Sequence, residues 1–296
     1  LEELVWENLG AIENLSRGSV RDVKVSTLAR QNVHSSRLGG EVRIALARGG
    51  DVEVWVKRVR HPEAAFERMR AAFERARTQG VAGPIPEPYF CAPQWGLIFM
   101  KKARGEPLRP MVLRHALYPL ASGVALRRTL YALGHWLCRY HHAVRSDVPF
   151  DVQGLIAGIV QRLRRDDVLP EIDRKRVEEH LREIERSFRT DRNGLEQAWP
   201  HNDFSLRNIV VAASGEFAVL DWDAMAHPCF SQTTSGAWDV TLFLLNLYSL
   251  SRLWPIIRTS RLGSLGESFL SGYLDAASSN GTRVTRAVMD ALIYLF

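Results

Sequence analysis

The chain has 296 residues, of which 46% are hydrophobic and 24% charged, with 21 glycines and 13 prolines. This composition is typical of a globular protein and excludes a disordered, collagen-like or coiled-coil chain. The formal net charge is +6, from 39 Lys and Arg against 33 Asp and Glu. Because the basic residues are intermixed with acidic ones and form no stripe interleaved with aromatics, the charge does not indicate a nucleic-acid binder.

The cysteines and the apolar runs indicate the cellular location to expect. Cys91, Cys138 and Cys229 lie far apart and form no CxxC pair, so neither a disulfide framework nor a cysteine-rich zinc site is expected. A reducing, cytoplasmic location follows as a prediction. The longest apolar run, Val240 to Leu250, is shorter than the about 20 residues that span a bilayer, so no transmembrane segment is expected. The first residues show no signal-peptide pattern either.

The first third of the chain carries strand patterns around one helix. Residues 41–59 alternate apolar and polar side chains on both sides of an Arg-Gly-Gly turn, which predicts two antiparallel strands, the second carrying Lys57. A helix is predicted from about Pro62 to Thr78, because proline is favoured in a first turn and apolar residues recur there at helical spacing. Another strand is predicted at residues 96–100.

From about Leu113 onward the pattern is mostly helical. Helices are predicted at residues 125–144, 151–165 and 177–188, and again beyond Trp238. Two short strands at residues 209–220 interrupt this series. The length also exceeds the usual single-domain size, so two unequal lobes are expected, the first rich in strands and the second rich in helices.

The segment at residues 199–223 carries the candidate catalytic side chains. Asp203, Asn208 five residues later, and Asp221 at the end of the predicted strand pair put oxygen-bearing side chains at strand ends and in loops, where they can face one cavity. In proteins Mg²⁺ is held by few protein oxygens together with substrate phosphates, which suits Asn208 and Asp221. A carboxylate that is not bound to the metal can accept the proton of an attacking hydroxyl, which suits Asp203.

The H-x-D-x-x-x-x-N run at residues 201–208, followed by Asp221, resembles the catalytic and metal-binding loops of the protein-kinase superfamily. Asn202 within this run, and LDWD at 220–223, are similar to the aminoglycoside phosphotransferase and choline kinase-like family of small-molecule kinases. Other segments agree in order and spacing, so that the resemblance extends from about residue 40 to 275. They are VWVKRV around Lys57, LIFMKKARGEPL at 97–108, WDVTLFLL at 238–245 and FLSGY at 269–273.

The resemblance implies a bilobal protein-kinase-like fold of the α+β class. A small antiparallel-sheet lobe over residues 1–102 would bind the nucleotide, and a larger, mainly helical lobe over 103–296 would carry the catalytic loop and the acceptor site. The implied reaction transfers the γ-phosphate of ATP or GTP to a hydroxyl of a small molecule. Asp203 would be the catalytic base, Asn208 and Asp221 would hold Mg²⁺, and Lys57 would contact the α and β phosphates.

The resemblance also implies further nucleotide contacts. A carboxylate of the helix after Lys57 should steady that lysine, and Glu67 is the choice among three candidates, although it could instead pair with Arg70 on an exposed helix face. The ribbon Ile98 to Ala103, which includes Met100 and Lys101, would be the hinge that offers backbone groups to the nucleobase.

The phosphate loop departs from the family pattern. The matching region, at residues 29–42, has no GxGxxG run, so backbone amides of a turn at Ser35 and Ser36 are expected to cradle phosphate instead. The missing glycines leave open a second class of function, a nucleotide-binding regulatory module without transfer activity.

The acceptor is only broadly indicated. The basic balance and the Arg-rich segment 162–192 favour a neutral or anionic acceptor, such as a sugar or sugar phosphate, over a polycationic aminoglycoside. Acidic residues in the same segment keep an amino alcohol or an aminoglycoside open.

Three other polar residues are expected to support the structure. His201 should be a packed scaffold histidine, His141 should pack within its helix without binding metal, and Asp239 should stabilise the catalytic loop or cap a helix. For Asp223, a secondary metal contact and a structural hydrogen bond remain equally open.

Overall fold

The computed structural model describes residues 1–13, 15–25, 29–30, 38–118, 123–149, 175, 179, 182, 196–222, 234–253, 257 and 259–279. The chain divides into two compact units. Unit 1 comprises Leu1–Gly105 with Val210–Ala212 and Ala218–Asp223, and unit 2 comprises the remainder.

Unit 1 contains an antiparallel sheet of six strands. These are β1 (Val20–Val25), β2 (Ala29–Arg30), β3 (Leu38–Leu46), β4 (Asp51–Arg58), β5 (Pro88–Ala92) and β6 (Leu97–Lys101). Their order is β1-β3-β4-β6-β5, and β2 also pairs with β3. Strands β3 and β4 form the hairpin expected from the alternation at 41–59, with Lys57 opposite Gly39. Gly49 and Gly50 close it at φ angles of 88° and 87°, a backbone conformation that glycine adopts at little cost.

Two helices accompany this sheet, α1 (Glu2–Glu7) and α2 (Pro62–Thr78). The bounds of α2 are those predicted, with Pro62 in its first turn. Val5 of α1 belongs to the buried core of unit 1 together with Ile44, Val54 and Phe99. Along β4 the even-numbered valines face this core, so the period-two alternation turns Trp55 and Lys57 to the opposite face of the sheet.

Unit 2 is mainly helical. Among the described residues its helices are α3 (Leu108–Leu117), α4 (Gly123–Ala143), α5 (Ala237–Leu253) and α6 (Thr259–Ser279). The remaining short strands in the described ranges are β7 (Glu106–Pro107), β8 (Arg145–Pro149), β9 (Glu196–Ala198), β10 (Ile209–Val211), β11 (Phe217–Val219) and β12 (Thr234–Ser235). Strand β9 lies between β8 and β12 in one small sheet, and β10 pairs with β11. The predicted helices at 151–165 and 177–188 lie outside the described residues, apart from positions 179 and 182.

Helices α4 and α6 cross at very short range. A Cβ atom added to Gly134 of α4 would overlap the carbonyl oxygen of Phe269, and one added to Gly272 of α6 would overlap that of Tyr131. The ring of Phe269 stacks on Phe243 of α5 with centroids 4.1 Å apart. The predicted α+β fold, with an antiparallel-sheet N-terminal region and a helical C-terminal region, is confirmed. No helix in the described ranges combines the length and the apolar character needed to cross a bilayer.

Candidate active site

The central ion pair of unit 1 joins Lys57 to Asp221. Nζ of Lys57 donates a hydrogen bond to Oδ1 of Asp221 at 2.8 Å, and the two side chains are 4% and 24% exposed. A lysine buried to this extent requires an anionic partner, because an isolated charge is costly to desolvate. Asp221 has a φ of 63°, in the left-handed region that non-glycine residues adopt mainly as single, strained positions and often at functional sites. The structure therefore brings together two of the predicted site residues.

A cavity of about 230 Å³ lies over this ion pair. Apolar side chains form much of its wall, and the charged groups of Lys57 and Asp221 contribute to the same lining. The lining residues are Trp55, Lys57, Met69, Pro86, Met100, Lys101, Lys102, Ala103, Leu220 and Asp221. A concave, largely apolar pocket with a few polar groups is the usual form of a site for a small ligand or cofactor.

The predicted hinge forms one side of this cavity through Met100, Lys101 and Ala103. Two of its backbone donors are already used within unit 1, because the N–H of Lys101 bonds the carbonyl of Glu87 at 2.8 Å and that of Lys102 bonds the carbonyl of Glu53 at 3.1 Å. In the described part of the chain no protein acceptor takes the N–H of Ala103. Ala103 is therefore the hinge residue best able to donate to a ligand.

The carboxylate near Lys57 differs from the one expected. Glu67 is 59% exposed and accepts a hydrogen bond from Arg70 at 2.7 Å, which is the pairing that the sequence left as the alternative. A carboxylate that does contact Lys57 is that of Asp221. Helical periodicity alone could not exclude Glu67, because it indicates the apolar face of α2 but not which carboxylate lies near Lys57.

Ser35 and Ser36, the predicted phosphate-cradling turn, lie outside the described residues, as does Asp223. Of the cavity residues, Trp55, Met69, Pro86 and Leu220 were not selected from the sequence. The signal for Trp55 was present, since residues two apart on a strand share a face and Trp55 precedes Lys57 by two.

Glu13 supports the hinge within unit 1. Its Oε1 lies 2.9 Å from Nζ of Lys101 and accepts a hydrogen bond from the Tyr89 hydroxyl at 3.1 Å. The hydrogen bond from Lys101 holds the pKa of Glu13 below its ordinary value, although partial burial opposes this effect. Burial, reinforced by the charge of Glu13, raises the pKa of Tyr89 well above its ordinary value, so the hydroxyl keeps its proton and remains a donor.

Asp203 and Asn208 form the second pair of predicted site residues, in unit 2. Nδ2 of Asn208 donates to the main-chain oxygen of Asp203 and to its Oδ2, both at 2.9 Å. Both amide hydrogens are thereby directed at Asp203, and Oδ1 of Asn208 is left as an acceptor or metal ligand. The loop turns tightly between them, since the N–H of Asn208 bonds the carbonyl of Ser205 at 3.0 Å.

Asp239 of α5 binds the backbone of this loop, as predicted. Its side chain is fully buried. Its Oδ2 accepts the backbone N–H of His201 at 2.7 Å, and its Oδ1 accepts that of Asn202 at 2.9 Å. Asn202 has a φ of 68°, which asparagine tolerates better than most residues. Charge-assisted bonds to a buried carboxylate are among the stronger hydrogen bonds in proteins, so they fix the backbone that precedes Asp203.

The two histidines near the loop have structural contacts. Nδ1 of His201 accepts the N–H of Asp203 at 3.3 Å, which agrees with a scaffold role. Nε2 of His141 lies 3.0 Å from Oδ2 of Asp239, and its Nδ1 lies 3.0 Å from the hydroxyl of Tyr273. No feature of the FLSGY segment singles out Tyr273, and no sequence pattern predicts the hydrogen bonds of His141.

The predicted Mg²⁺ ligands fit that ion chemically. Asn208 offers an amide oxygen that its loop does not use, and Asp221 offers a carboxylate. Mg²⁺ prefers such hard oxygen donors, few in number and completed by water and phosphate. Within the described ranges, no three His, Cys, Asp or Glu side chains cluster as a metal site, so a site built wholly from such residues is not indicated there.

Two solved structures give a measure of the fold similarity. Choline kinase LicA from Streptococcus pneumoniae is 13% identical, with a TM-score of 0.50 and a match that covers 99% of this chain and 86% of that protein. Macrolide 2'-phosphotransferase MphH from Brachybacterium faecium is 14% identical, with a TM-score of 0.49 and a match that covers 99% of this chain and 97% of that one. At such identity the likeness to the choline kinase shows a shared fold alone.

No curated protein sequence matches the chain. The model of the phosphotransferase enzyme family, APH, matches residues 39–227, which is more than half of the chain. This range contains Lys57, Asp203, Asn208 and Asp221. The chain therefore belongs to the phosphotransferase enzyme family, and the resemblance of its motifs to those of aminoglycoside phosphotransferases and choline kinase-like enzymes is confirmed.

Proposed function

We propose that this phosphotransferase transfers the γ-phosphate of ATP or GTP to a hydroxyl group of a small molecule. The observation that carries the proposal is the cavity of unit 1, in which a buried lysine paired with an aspartate lies beside apolar side chains and the N–H of Ala103, which no acceptor among the described residues takes. A nucleotide has the matching parts: a polyphosphate for Lys57, a planar base for the apolar wall, and hydrogen-bonding groups on the edge of that base.

The residues of this cavity contact different parts of the nucleotide. Lys57 contacts the α and β phosphates, because it is the buried cation of the lining. The base lies against the indole of Trp55, with Leu220 and Met69 as further apolar contacts, and the N–H of Ala103 donates to its edge. Met100 and Lys101 contribute as hinge residues, with Glu13 supporting Lys101 from outside the cavity.

Asp203 acts as the base in this proposal. Asn208 donates to Oδ2 of Asp203, which orients the carboxylate and leaves its Oδ1 to accept the proton of the acceptor hydroxyl. As the hydroxyl oxygen attacks the γ-phosphorus and the bond to the β-phosphate oxygen breaks, the proton passes to Asp203. Positioning and charge neutralisation supply most of the catalysis in such a reaction. Mg²⁺, held by Asn208 and Asp221, would neutralise charge on the phosphate oxygens.

The acceptor we propose is a neutral or anionic small molecule that carries a hydroxyl, such as a sugar or sugar phosphate. The net charge of +6 supports this choice. The segment 162–192, on which the sequence argument also rested, lies outside the described residues apart from positions 175, 179 and 182. An amino alcohol or an aminoglycoside-like acceptor belongs in the same test panel.

The test measures ADP or GDP release with Mg²⁺ and each nucleotide, first without an acceptor and then with sugars, sugar phosphates, amino alcohols and aminoglycosides. Wild type is expected to release ADP or GDP slowly without an acceptor, because water then receives the phosphate. Release should be faster with the correct acceptor. The matched variant Asp203→Asn keeps an oxygen for the Asn208 amide but has no base, so it should bind nucleotide and lose turnover. Retained turnover would refute the role of Asp203. Nucleotide binding without any turnover in wild type would favour the regulatory module instead.

A further inference from the structure

A buried chain of hydrogen bonds in unit 2 ends at Tyr273. The Tyr273 hydroxyl lies 3.0 Å from Nδ1 of His141, whose Nε2 lies 3.0 Å from Oδ2 of Asp239. The three residues come from α6, α4 and α5, and none is more than 5% exposed. We propose that Tyr273 is a positioning residue for phosphoryl transfer, because its hydroxyl holds the imidazole of His141 in the orientation in which Nε2 faces Asp239, and Asp239 in turn binds the backbone of the catalytic loop. The proposal rests on the function proposed above.

The direction of each hydrogen bond follows from the donor inventory. Asp239 already accepts two backbone N–H groups, and an ionised carboxylate has no hydrogen to donate, so Nε2 of His141 must carry the proton that faces it. A neutral imidazole protonated at Nε2 has its lone pair on Nδ1. That lone pair needs a donor, and the Tyr273 hydroxyl is at hydrogen-bonding distance.

The tyrosine is suited to donate. Burial raises the pKa of Tyr273 well above its ordinary value, and the neighbouring Cys138 and Asp239 act in the same direction. The hydroxyl therefore keeps its proton at any pH at which the enzyme would work. The chain then runs in one direction, from the hydroxyl of Tyr273 through His141 to Asp239, where the two loop N–H groups also converge.

Packing limits how the imidazole ring of His141 can move if the Tyr273 hydroxyl is lost. A Cβ atom on Gly236 would overlap the ring of His141, so the ring has no room on that side. The ring of Tyr273 lies on another side, with centroids 5.9 Å apart. Without its donor, Nδ1 of His141 is left as a buried acceptor with no hydrogen bond. A displacement of the ring that relieves this cost moves Nε2 relative to Asp239, which weakens the hold of Asp239 on the loop.

The matched pair of variants is Tyr273→Phe and Tyr131→Phe. The Tyr131 hydroxyl donates to Asp275 at 2.9 Å, so it also links α4 to α6, but Tyr131 is 40% exposed and lies outside the buried chain. Tyr273→Phe is expected to lower kcat about ten- to a hundredfold, since small displacements of a catalytic group are costly. The KM for nucleotide should stay unchanged, because the cavity residues of unit 1 are untouched. Tyr131→Phe should leave both constants at wild-type values.

A second measurement does not depend on activity. In protein labelled with ¹⁵N-histidine, His141 is assigned through its proximity to the Tyr273 ring, and the ¹⁵N chemical shifts of wild type should show Nε2 protonated and Nδ1 not. Tyr273→Phe should shift the resonance of the unprotonated Nδ1, because that nitrogen loses its hydrogen bond, whereas Tyr131→Phe should not. A wild-type His141 protonated at Nδ1, or a Tyr273→Phe variant with wild-type kcat, would overturn the proposal. Absence of turnover in wild type would refute the proposed function, and the ¹⁵N shifts would still decide the tautomer.

Discussion

The close crossing of α4 and α6 makes Gly134→Ala a stringent test of the structure. A Cβ atom at this position would overlap the carbonyl oxygen of Phe269 and lie 3.1 Å from the backbone nitrogen of Tyr273. Both obstacles are main-chain atoms, so no side-chain rotation can relieve the overlap and one helix has to move. We expect the variant to lose stability, and the displacement would also disturb the position of Tyr273.

The magnitude follows from two opposed effects. Overpacking a tightly packed site costs about 1–3 kcal/mol, and the upper part of that range applies when the backbone must move. The higher helix propensity of alanine recovers about 0.8–1 kcal/mol. The net loss in the free energy of unfolding is therefore about 2 kcal/mol. The control is Gly263→Ala in α6, where an added Cβ atom meets no heavy atom within 4 Å, and where a gain of about 0.5–1 kcal/mol is expected.

Urea unfolding followed by far-ultraviolet circular dichroism measures both variants, and their free energies of unfolding should differ by about 2–3 kcal/mol. If Gly134→Ala is as stable as Gly263→Ala, the two helices do not approach as closely as described, and the placement of Tyr273 beside His141 loses its basis.

Three further predictions concern unit 1. Lys57→Met should lower kcat/KM for nucleotide about a hundredfold in steady-state kinetics, because a charge-stabilising donor is lost; an unchanged value would contradict its phosphate contact. Trp55→Ala should weaken nucleotide binding up to about tenfold in calorimetric titration through loss of stacking, whereas Trp95→Ala, at a 63% exposed position outside the cavity, should not. Because Lys101 lowers the pKa of Glu13, Glu13→Gln should be less stable than wild type above the ordinary carboxyl pKa of about 4.3. That difference should shrink as pH falls through the lowered pKa, and a pH-independent difference in chemical unfolding would count against the ion pair.

Much of the fold and of the candidate site could be predicted from patterns that are local in the chain. Alternation across Arg48-Gly49-Gly50 predicted the β3–β4 hairpin, and helical spacing predicted α2 at its observed bounds. The five-residue separation of Asp203 and Asn208 is likewise local, and the structure joins them by two hydrogen bonds. These signals work because turns, strands and short loops are governed by neighbours along the chain.

The contacts that the candidate site residues make within each unit were decided by the tertiary structure. Lys57 and Asp221 are 164 residues apart, and the sequence offered Glu67 as the partner because helical spacing does not show which carboxylate lies near a given strand. His141 contacts Tyr273, which lies 132 residues away in the sequence, and Asp239, which lies 98 residues away. No periodic pattern in the sequence predicts these contacts. The sequence by itself determined which chemical groups the chain carries and on which local elements they lie. Which of those groups meet depends on how the elements pack, since only packing brings distant parts of the chain within hydrogen-bonding distance.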